Sequence, residues 1–216
     1  MPRVSIQSNA PSSGIENSGQ PKTDISGSTG WDYIFDGTKT PSQLGWVESI
    51  NSGTATESIT EDGYRVQASV AFRKNFTYPD NGGASDAGLG VDFATGFLLE
   101  WRAKYTFGGS GTVQSNIYIG DGDELIRVFY NRSTNTVDVR WSTGLVFTSS
   151  AVIGNWNIYK LVIKGTTGQF WVNGVIESSL TRSNTGSSTK YLRIDQRIAD
   201  TGTFDSIISY IRLRKN

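Results

Sequence analysis

Residues 96–107 read GFLLEWRAKYTF, and the order of residue types in this stretch decides the fold class. Charged or polar residues at positions 100, 102, 104 and 106 separate apolar ones. The apolar set is Phe97, Leu99, Trp101, Ala103, Tyr105 and Phe107. Successive side chains of a β-strand point to opposite faces, so this alternation predicts a strand with one face in the core.

Other stretches repeat the pattern, among them VQSNIYIG at 113–120 and TVDVRW at 136–141. Glycine-rich turns separate them, and the pair Asn173-Gly174 is typical of a two-residue type I′ hairpin. No stretch has a helical period of useful length. The chain is therefore predicted to be all-β, an antiparallel sandwich of two sheets.

The end of the chain, FDSIISYIRLRKN at 204–216, predicts a closing strand. Strict alternation places one set of side chains on one face, Ile207, Ser209, Ile211 and Leu213, and the other set on the opposite face, Ile208, Tyr210 and Arg212. The acidic stretches 83–92 and 193–200 are interpreted as loops.

The composition excludes several classes of function. The chain has no cysteine and no histidine, so it lacks disulfides, thiolate metal sites and a Ser-His-Asp triad. Lysine plus arginine equals aspartate plus glutamate at 20 each, which argues against nucleic acid or an anionic membrane as partner. We therefore expect a partner that is uncharged or recognised by a local group of charges.

Residues 1–30 differ from the rest in being dominated by Ser, Gly, Asn, Pro and Gln without periodicity. They predict a flexible N-terminal arm, which is either an unstructured leader or a segment that orders against a neighbouring subunit. Residues 31–216 are predicted to form the sandwich domain. Because the first residues lack the apolar core of a signal peptide, we expect a virion or extracellular location reached without standard secretion, with the cytoplasm left open.

Several pieces of the chain together resemble a known superfamily. They are FDGT and GW within residues 35–46, NWNIYKLVIKG at 155–165, GQFWVNGV at 168–175 and SYIRLR at 209–214. In this order they resemble the concanavalin A-like lectin/glucanase jelly roll, in its laminin G-like branch. The resemblance implies two curved sheets, with ligands bound on the concave face or on loops at one rim.

The glucanase branch of that superfamily carries Glu-x-Asp-x-x-Glu on one strand, which aims its carboxylates at one face. In this chain no glutamate is followed by aspartate two positions later. The catalytic strand therefore has no counterpart, and we expect a protein that is not an enzyme.

Trp171 is the first candidate for a ligand contact. It is out of phase with Phe170 and Val172, so it falls on the face opposite theirs. An exposed indole can stack on the apolar side of a sugar ring. The alternative is that a loop, a neighbouring strand or another subunit covers the ring.

The polar face of three consecutive predicted strands is the second candidate. If these strands pair in sequence, they bring together Asn116, Tyr118, Arg127, Asp138 and Arg140. Amide, phenol and charged groups around one aromatic ring suit a hydroxyl-rich ligand. The alternative is a solvated sheet face with a weak surface ion pair.

The loop DGDE at 121–124 resembles the oxygen-rich loops that bind calcium in some lectins. Calcium takes about 6 to 8 oxygen ligands, and Asp121 and Asp123 have no longer acidic pattern around them. The spacing favours a plain hairpin turn over a calcium site, and no other cofactor is expected.

The absence of cysteine, the missing signal sequence, the Ser/Thr/Asn/Gly-rich texture and the N-terminal arm together look similar to bacteriophage virion proteins. With the fold, this resemblance implies a carbohydrate-binding adhesion module in a tail, baseplate or decoration protein that recognises a host surface polysaccharide. Its arm would contact other virion subunits, and the domain could form a homo-oligomer. The alternative is a purely structural virion component that binds no glycan. A third hypothesis, a glycan-cleaving enzyme, requires two carboxyl groups about 5 to 10 Å apart.

Overall fold

The computed structural model describes residues 30–78, 94–109, 113–120, 125–131, 136–141, 146–181, 191–199 and 202–215. In these ranges the chain forms β-strands, a 3-10 helix over Ser42–Leu44, and no α-helix. The strands are β1 (Asp32–Phe35), β2 (Val47–Gly53), β3 (Thr56–Thr60), β4 (Gly63–Ala68), β5 (Phe72–Tyr78), β6 (Phe97–Gly109), β7 (Val113–Gly120), β8 (Leu125–Asn131), β9 (Thr136–Trp141), β10 (Val146–Ser149), β11 (Trp156–Lys164), β12 (Thr167–Val172), β13 (Val175–Thr181), β14 (Tyr191–Ile198) and β15 (Gly202–Lys215).

The strands form two antiparallel sheets. The larger sheet has the order β13-β12-β11-β6-β15-β4-β3, with β1 also paired to β15. The smaller sheet has the order β10-β9-β8-β7-β14-β5-β2. The predicted all-β, two-sheet antiparallel sandwich is confirmed. The proposed arm, residues 1–30, lies almost entirely outside the described residues and stays a prediction.

The prediction for β6 is also confirmed. Phe97, Leu99 and Ala103 have no exposed surface, and Trp101 stacks on Tyr159 of β11 with ring centroids 5.2 Å apart. Phe107, at the end of the strand, is only partly buried.

Aromatic pairs join the two sheets across the core. Phe72 of β5 packs against Phe204 of β15 at 5.1 Å, and Phe147 of β10 packs against Phe170 of β12 at 5.9 Å. Both pairs have the edge-to-face geometry that aromatic rings prefer. The core therefore extends between facing strands of both sheets.

The closing strand β15 departs from strict alternation. Its pairing with β6 shifts between Ile208 and Tyr210, which marks a β-bulge. As a result Ile208 and Ser209 are both buried, whereas Ile207 is half-buried. The prediction that Ile207 shares a face with Ser209 and that Ile208 lies on the opposite face is wrong, because a bulge inserts one residue and reverses the faces.

Gly63 at the start of β4 lies against this bulge. A Cβ atom on Gly63 would lie 2.3 Å from the Ile208 carbonyl oxygen, and its φ is +141°. Both the contact and the backbone conformation therefore require glycine at this position.

We expect Gly63→Ala to lower the free energy of unfolding by about 2 to 5 kcal/mol, combining backbone strain with overpacking. Gly154→Ala is the matched control, since Gly154 has a φ of +83° but nothing within 4 Å of the added Cβ. It should cost about 1 to 2 kcal/mol from strain alone. Equal costs in urea unfolding would show that the approach of Gly63 to β15 does not matter.

A polar network joins the two sheets at their β2 and β3 edges. Lys74 of β5 forms ion pairs with Glu48 of β2, at 3.2 Å, and with Glu57 of β3. Tyr64 of β4 donates a hydrogen bond of 2.7 Å to Glu57. Burial, followed by this hydrogen bond, raises the pKa of Tyr64 well above its usual value.

A raised folded-state pKa stabilises the fold below the unfolded-state pKa of tyrosine, about 10, and this contribution is lost as pH rises further. We therefore expect stability to fall above about pH 10, and to fall less steeply in Tyr64→Phe, by up to about 1.4 kcal/mol per pH unit. Tyr159 and Tyr210, whose pKa values burial also raises, titrate in both proteins. Identical slopes in urea unfolding at several alkaline pH values would contradict the assignment.

Candidate functional site

The outer face of the smaller sheet is the surface turned away from the core. On β14 the side chains of Leu192, Ile194 and Ile198 are buried in the core. The alternate positions 193, 195 and 197 therefore belong to the outer face. Residues 193–200 were interpreted as a loop from the sequence, and this is wrong for 193–198, which belong to β14, paired on both sides.

The predicted pairing of three consecutive strands is confirmed, because β7, β8 and β9 are neighbours in the smaller sheet. Their register aligns Tyr118 with Arg127, and Arg127 with Arg140. Asn116 pairs with Asp195 on β14. All these positions fall on the outer face by alternation, although the side chains of Asn116, Tyr118 and Arg127 lie outside the described part of the structure.

The side chains of Asp138 and Arg140 on β9 belong to the described part of the outer face. The Asp138 carboxylate is buried and accepts hydrogen bonds from the hydroxyls of Thr136, at 2.9 Å, and Thr148, at 3.2 Å. Arg140 is exposed. Asp138 is thus a fixed acceptor within the sheet, while Arg140 presents its charge to solvent.

The sequence did not single out the ion pair between Arg73 of β5 and Asp195 of β14. The Arg73 guanidinium donates from Nε and Nη2 to the two carboxylate oxygens, at 3.2 and 3.1 Å. Only 2% of the Asp195 side chain is exposed, and Asn75, paired with it in register, is also buried. Arg193 donates from Nε to the Thr77 hydroxyl at 3.2 Å. The alternation of residue types over 191–198 was the sequence signal that could have identified β14 and placed Asp195 on its outer face.

The described part of the outer face carries more positive than negative charge. On β5, β9 and β14, its described charged side chains are Arg73, Arg140, Arg193 and Arg197 with Asp138 and Asp195. Four arginines and two aspartates give a formal charge of +2, in a chain whose formal net charge is zero. A locally cationic surface therefore forms on a neutral protein.

The two carboxylates of this group, Asp138 and Asp195, are too far apart to act as a glycosidase pair. They lie on β9 and β14, which β7 and β8 separate. Three strand spacings of about 4.8 Å each place them roughly 14 Å apart, beyond the 5 to 10 Å at which paired carboxylates cleave glycosidic bonds.

Trp171 lies on the opposite side of the molecule, on the outer face of the larger sheet. Phe170 and Val172 are buried in the core, and Trp171 is half-buried, as its phase predicts. The Lys160 ammonium lies 4.3 Å from the centroid of its ring. The structure therefore does not bring Trp171 together with the other five predicted residues, and a cation already covers one side of the indole.

The hairpin after Trp171 has the predicted conformation. Asn173 and Gly174 have φ angles of +49° and +84°, as a type I′ turn requires. The Asn173 carboxamide oxygen accepts from the Ile158 backbone N–H at 2.9 Å, which fixes the hairpin to β11.

The proposed calcium ligands Asp121 and Asp123 lie outside the described residues. Within the described ranges, no group of three or more acidic side chains gathers in a way that could hold a metal ion. The same ranges contain no helix of the length and apolarity that a membrane span needs.

Neither a family model nor a curated protein sequence matches the chain. Solved structures do. A transglycosylase in complex with NAG superposes with a TM-score of 0.59 at 14% identity, over 93% of this chain and 89% of that one. A family 16 glycosyl hydrolase from Mycobacterium smegmatis gives 0.55 at 12% identity, over 86% and 99%. An alginate lyase of polysaccharide lyase family 7 gives 0.53 at 12% identity, over 86% and 94%.

The fold is the concanavalin A-like jelly roll. This agrees with the resemblance found in the sequence, at identities that establish the fold alone. The expectation that the chain is not an enzyme is contradicted, because these structures are a transglycosylase, a hydrolase and a lyase. That expectation rested on the absence of histidine and on the missing glucanase strand, which exclude particular catalytic arrangements and not every chemistry that this fold can carry.

Because Asp195 is buried, its ion pair with Arg73 should contribute strongly to the free energy of unfolding. Arg73→Met would leave a buried carboxylate without its bidentate partner, and we expect a loss of about 3 kcal/mol in the free energy of unfolding. The matched control is Arg65→Met. Arg65 pairs with Asp205 in the same bidentate manner, but 28% of the Asp205 side chain is exposed.

The control should cost at most about 1 kcal/mol, because water can solvate the released carboxylate. Urea unfolding of both variants measures the difference. Equal losses would mean that the burial of Asp195 does not govern the strength of the pair.

Proposed function

We propose that this protein is a carbohydrate-active protein that binds an acidic polysaccharide across the outer face of the smaller sheet. The observation that carries the proposal is the excess of arginines over aspartates on that face of an otherwise neutral chain. The composition left two kinds of partner open, an uncharged one and one recognised by a local group of charges. The excess of arginines favours the second kind.

The residue types on this face suit a sugar acid. A guanidinium can bind a carboxylate or sulfate through two parallel hydrogen bonds, and Arg140 is exposed for this purpose. The Thr77 hydroxyl, which holds Arg193, provides a neutral polar group in the same surface. Hydrogen bonds from charged groups give a site both affinity and orientation.

The solved structures support a glycan as the ligand class, since one of them is described as an alginate lyase and another as a transglycosylase in complex with NAG. The separation of Asp138 and Asp195 argues against hydrolysis by these two groups. The virion location, the contact of the arm with other subunits and a homo-oligomeric state stay predictions from the sequence.

The proposal is tested by isothermal titration calorimetry with alginate and polygalacturonate, against laminarin and soluble starch as neutral polymers. We expect binding to the acidic polymers only, weakening as salt is added because exposed charges are screened. Arg140→Gln should weaken binding about tenfold, the loss of one hydrogen bond to a charged group. The control Arg65→Gln, on the larger sheet, should bind like the wild type.

Equal affinity for neutral and acidic polymers, or no binding to either, would overturn the proposal. The viscosity of the same mixtures over time separates binding from cleavage. A falling viscosity with wild-type protein would identify a depolymerising enzyme, and a constant viscosity with retained binding would identify a binding protein.

A further inference from the structure

A cavity of about 360 Å³ opens at one end of the outer face, where β2, β5 and β14 meet. Its wall includes Ser52, Arg73 and Arg197, together with the backbone around Gly53. Pockets for small organic ligands begin at about 300 Å³. The space is therefore suited to a monosaccharide unit rather than to a single ion.

The cavity wall is fixed by the backbone. Gly53 has a φ of +75°, and a Cβ atom there would lie 2.2 Å from the Ala71 carbonyl oxygen. The end of β2 consequently packs directly on the start of β5, and the two arginines are among the side chains that line the space, together with Phe72 and Ile198.

Arg73 and Arg197 occupy directly opposite positions on β5 and β14. Like charges at such positions repel each other and destabilise a sheet. Asp195 pairs with Arg73 through both carboxylate oxygens. One aspartate therefore offsets only one of the two positive charges.

Arg197 differs from Arg73 in having no carboxylate partner among the described residues. Its Nε atom is buried and makes no hydrogen bond within the described structure. A buried donor without an acceptor costs free energy, and more so when it belongs to a charged group. An oxyanion in the cavity would offset the repulsion between the Arg197 and Arg73 guanidinium groups, both of which belong to its wall.

We propose that this cavity is an end subsite that takes one acidic sugar unit, with its carboxylate or sulfate group between Arg73 and Arg197. The inference rests on the proposed function, since it places the end of a bound acidic glycan at the β2 side of the outer face. It assigns to Arg197 the recognition of the anionic group and to the cavity the selection of a sugar-sized ligand.

The test is a titration followed by nuclear magnetic resonance of the arginine Nε–H signals, with galacturonate, galactose 6-sulfate and neutral galactose as probes. We expect both acidic sugars to shift the Arg197 signal and to bind about tenfold more tightly than galactose. Saturation by galacturonate alone would identify a carboxylate subsite, and saturation by the sulfate ester alone a sulfate subsite.

Arg197→Gln is expected to abolish the preference for acidic sugars and to weaken polygalacturonate binding about tenfold. Its unfolding midpoint without ligand should be no lower than that of the wild type, because the substitution removes a repulsive charge. Arg65→Gln is again the control, with unchanged binding of every probe.

An unchanged preference for galacturonate in Arg197→Gln would overturn the subsite, while polymer binding by the wild type would leave the proposed function intact. Conversely, galacturonate binding that Arg197→Gln removes, without any binding of acidic polymers, would support the cavity and overturn the proposed function. A wild type that binds none of the three sugars would overturn the inference.

Discussion

The packing of two sheets through their aromatic side chains is the constraint on which the rest of the structure depends. Trp101 stacks on Tyr159 within the larger sheet, and Phe72 meets Phe204 across the gap between the sheets. Facing sheets lie about 10 Å apart, so each strand must give every second side chain to this layer. The remaining side chains belong to one of two outer faces, and the candidate site is built from them.

The alternation of apolar and polar residues predicted the strands well where every second residue is apolar, as in β6. The same pattern was not recognised in β14, which carries part of the site. There the core-facing position 196 is a glutamine, and Gln196 is fully buried and donates to the Ser206 hydroxyl at 2.6 Å. A polar residue among core positions made the stretch resemble a loop, because the hydrogen bond that compensates its burial comes from β15, ten residues further along the chain.

The bulge in β15 shows a second limit. Its sequence alternates almost as regularly as that of β6, and the change of face between Ile208 and Tyr210 lies where Gly63, distant in sequence, packs against the strand. Among the site residues, the sequence raised the pairing of β7, β8 and β9 in chain order, which the structure shows, but not the register that aligns Arg127 with Arg140. It did not predict the pair of Arg73 and Asp195, which are separated by 122 positions along the chain.

The charge of the outer face is a property of position and not of composition. Twenty acidic residues balance twenty basic ones over the whole chain, yet Asp195 is almost fully enclosed while Arg140 remains exposed. The two aspartates offset two of the four arginine charges, and the remaining charge, to which the exposed Arg140 contributes, is what an approaching ligand meets.

Arg73 and Arg197 lie at directly opposed positions on neighbouring strands of the outer face. A sheet optimised for stability alone would not place two like charges at directly opposed positions, as these two arginines are. Retaining two positive charges side by side, one with a buried donor that has no acceptor among the described residues, costs stability in the free protein. Such a cost is typical of binding sites, because the ligand supplies the missing partner and the protein is stabilised only when it is bound.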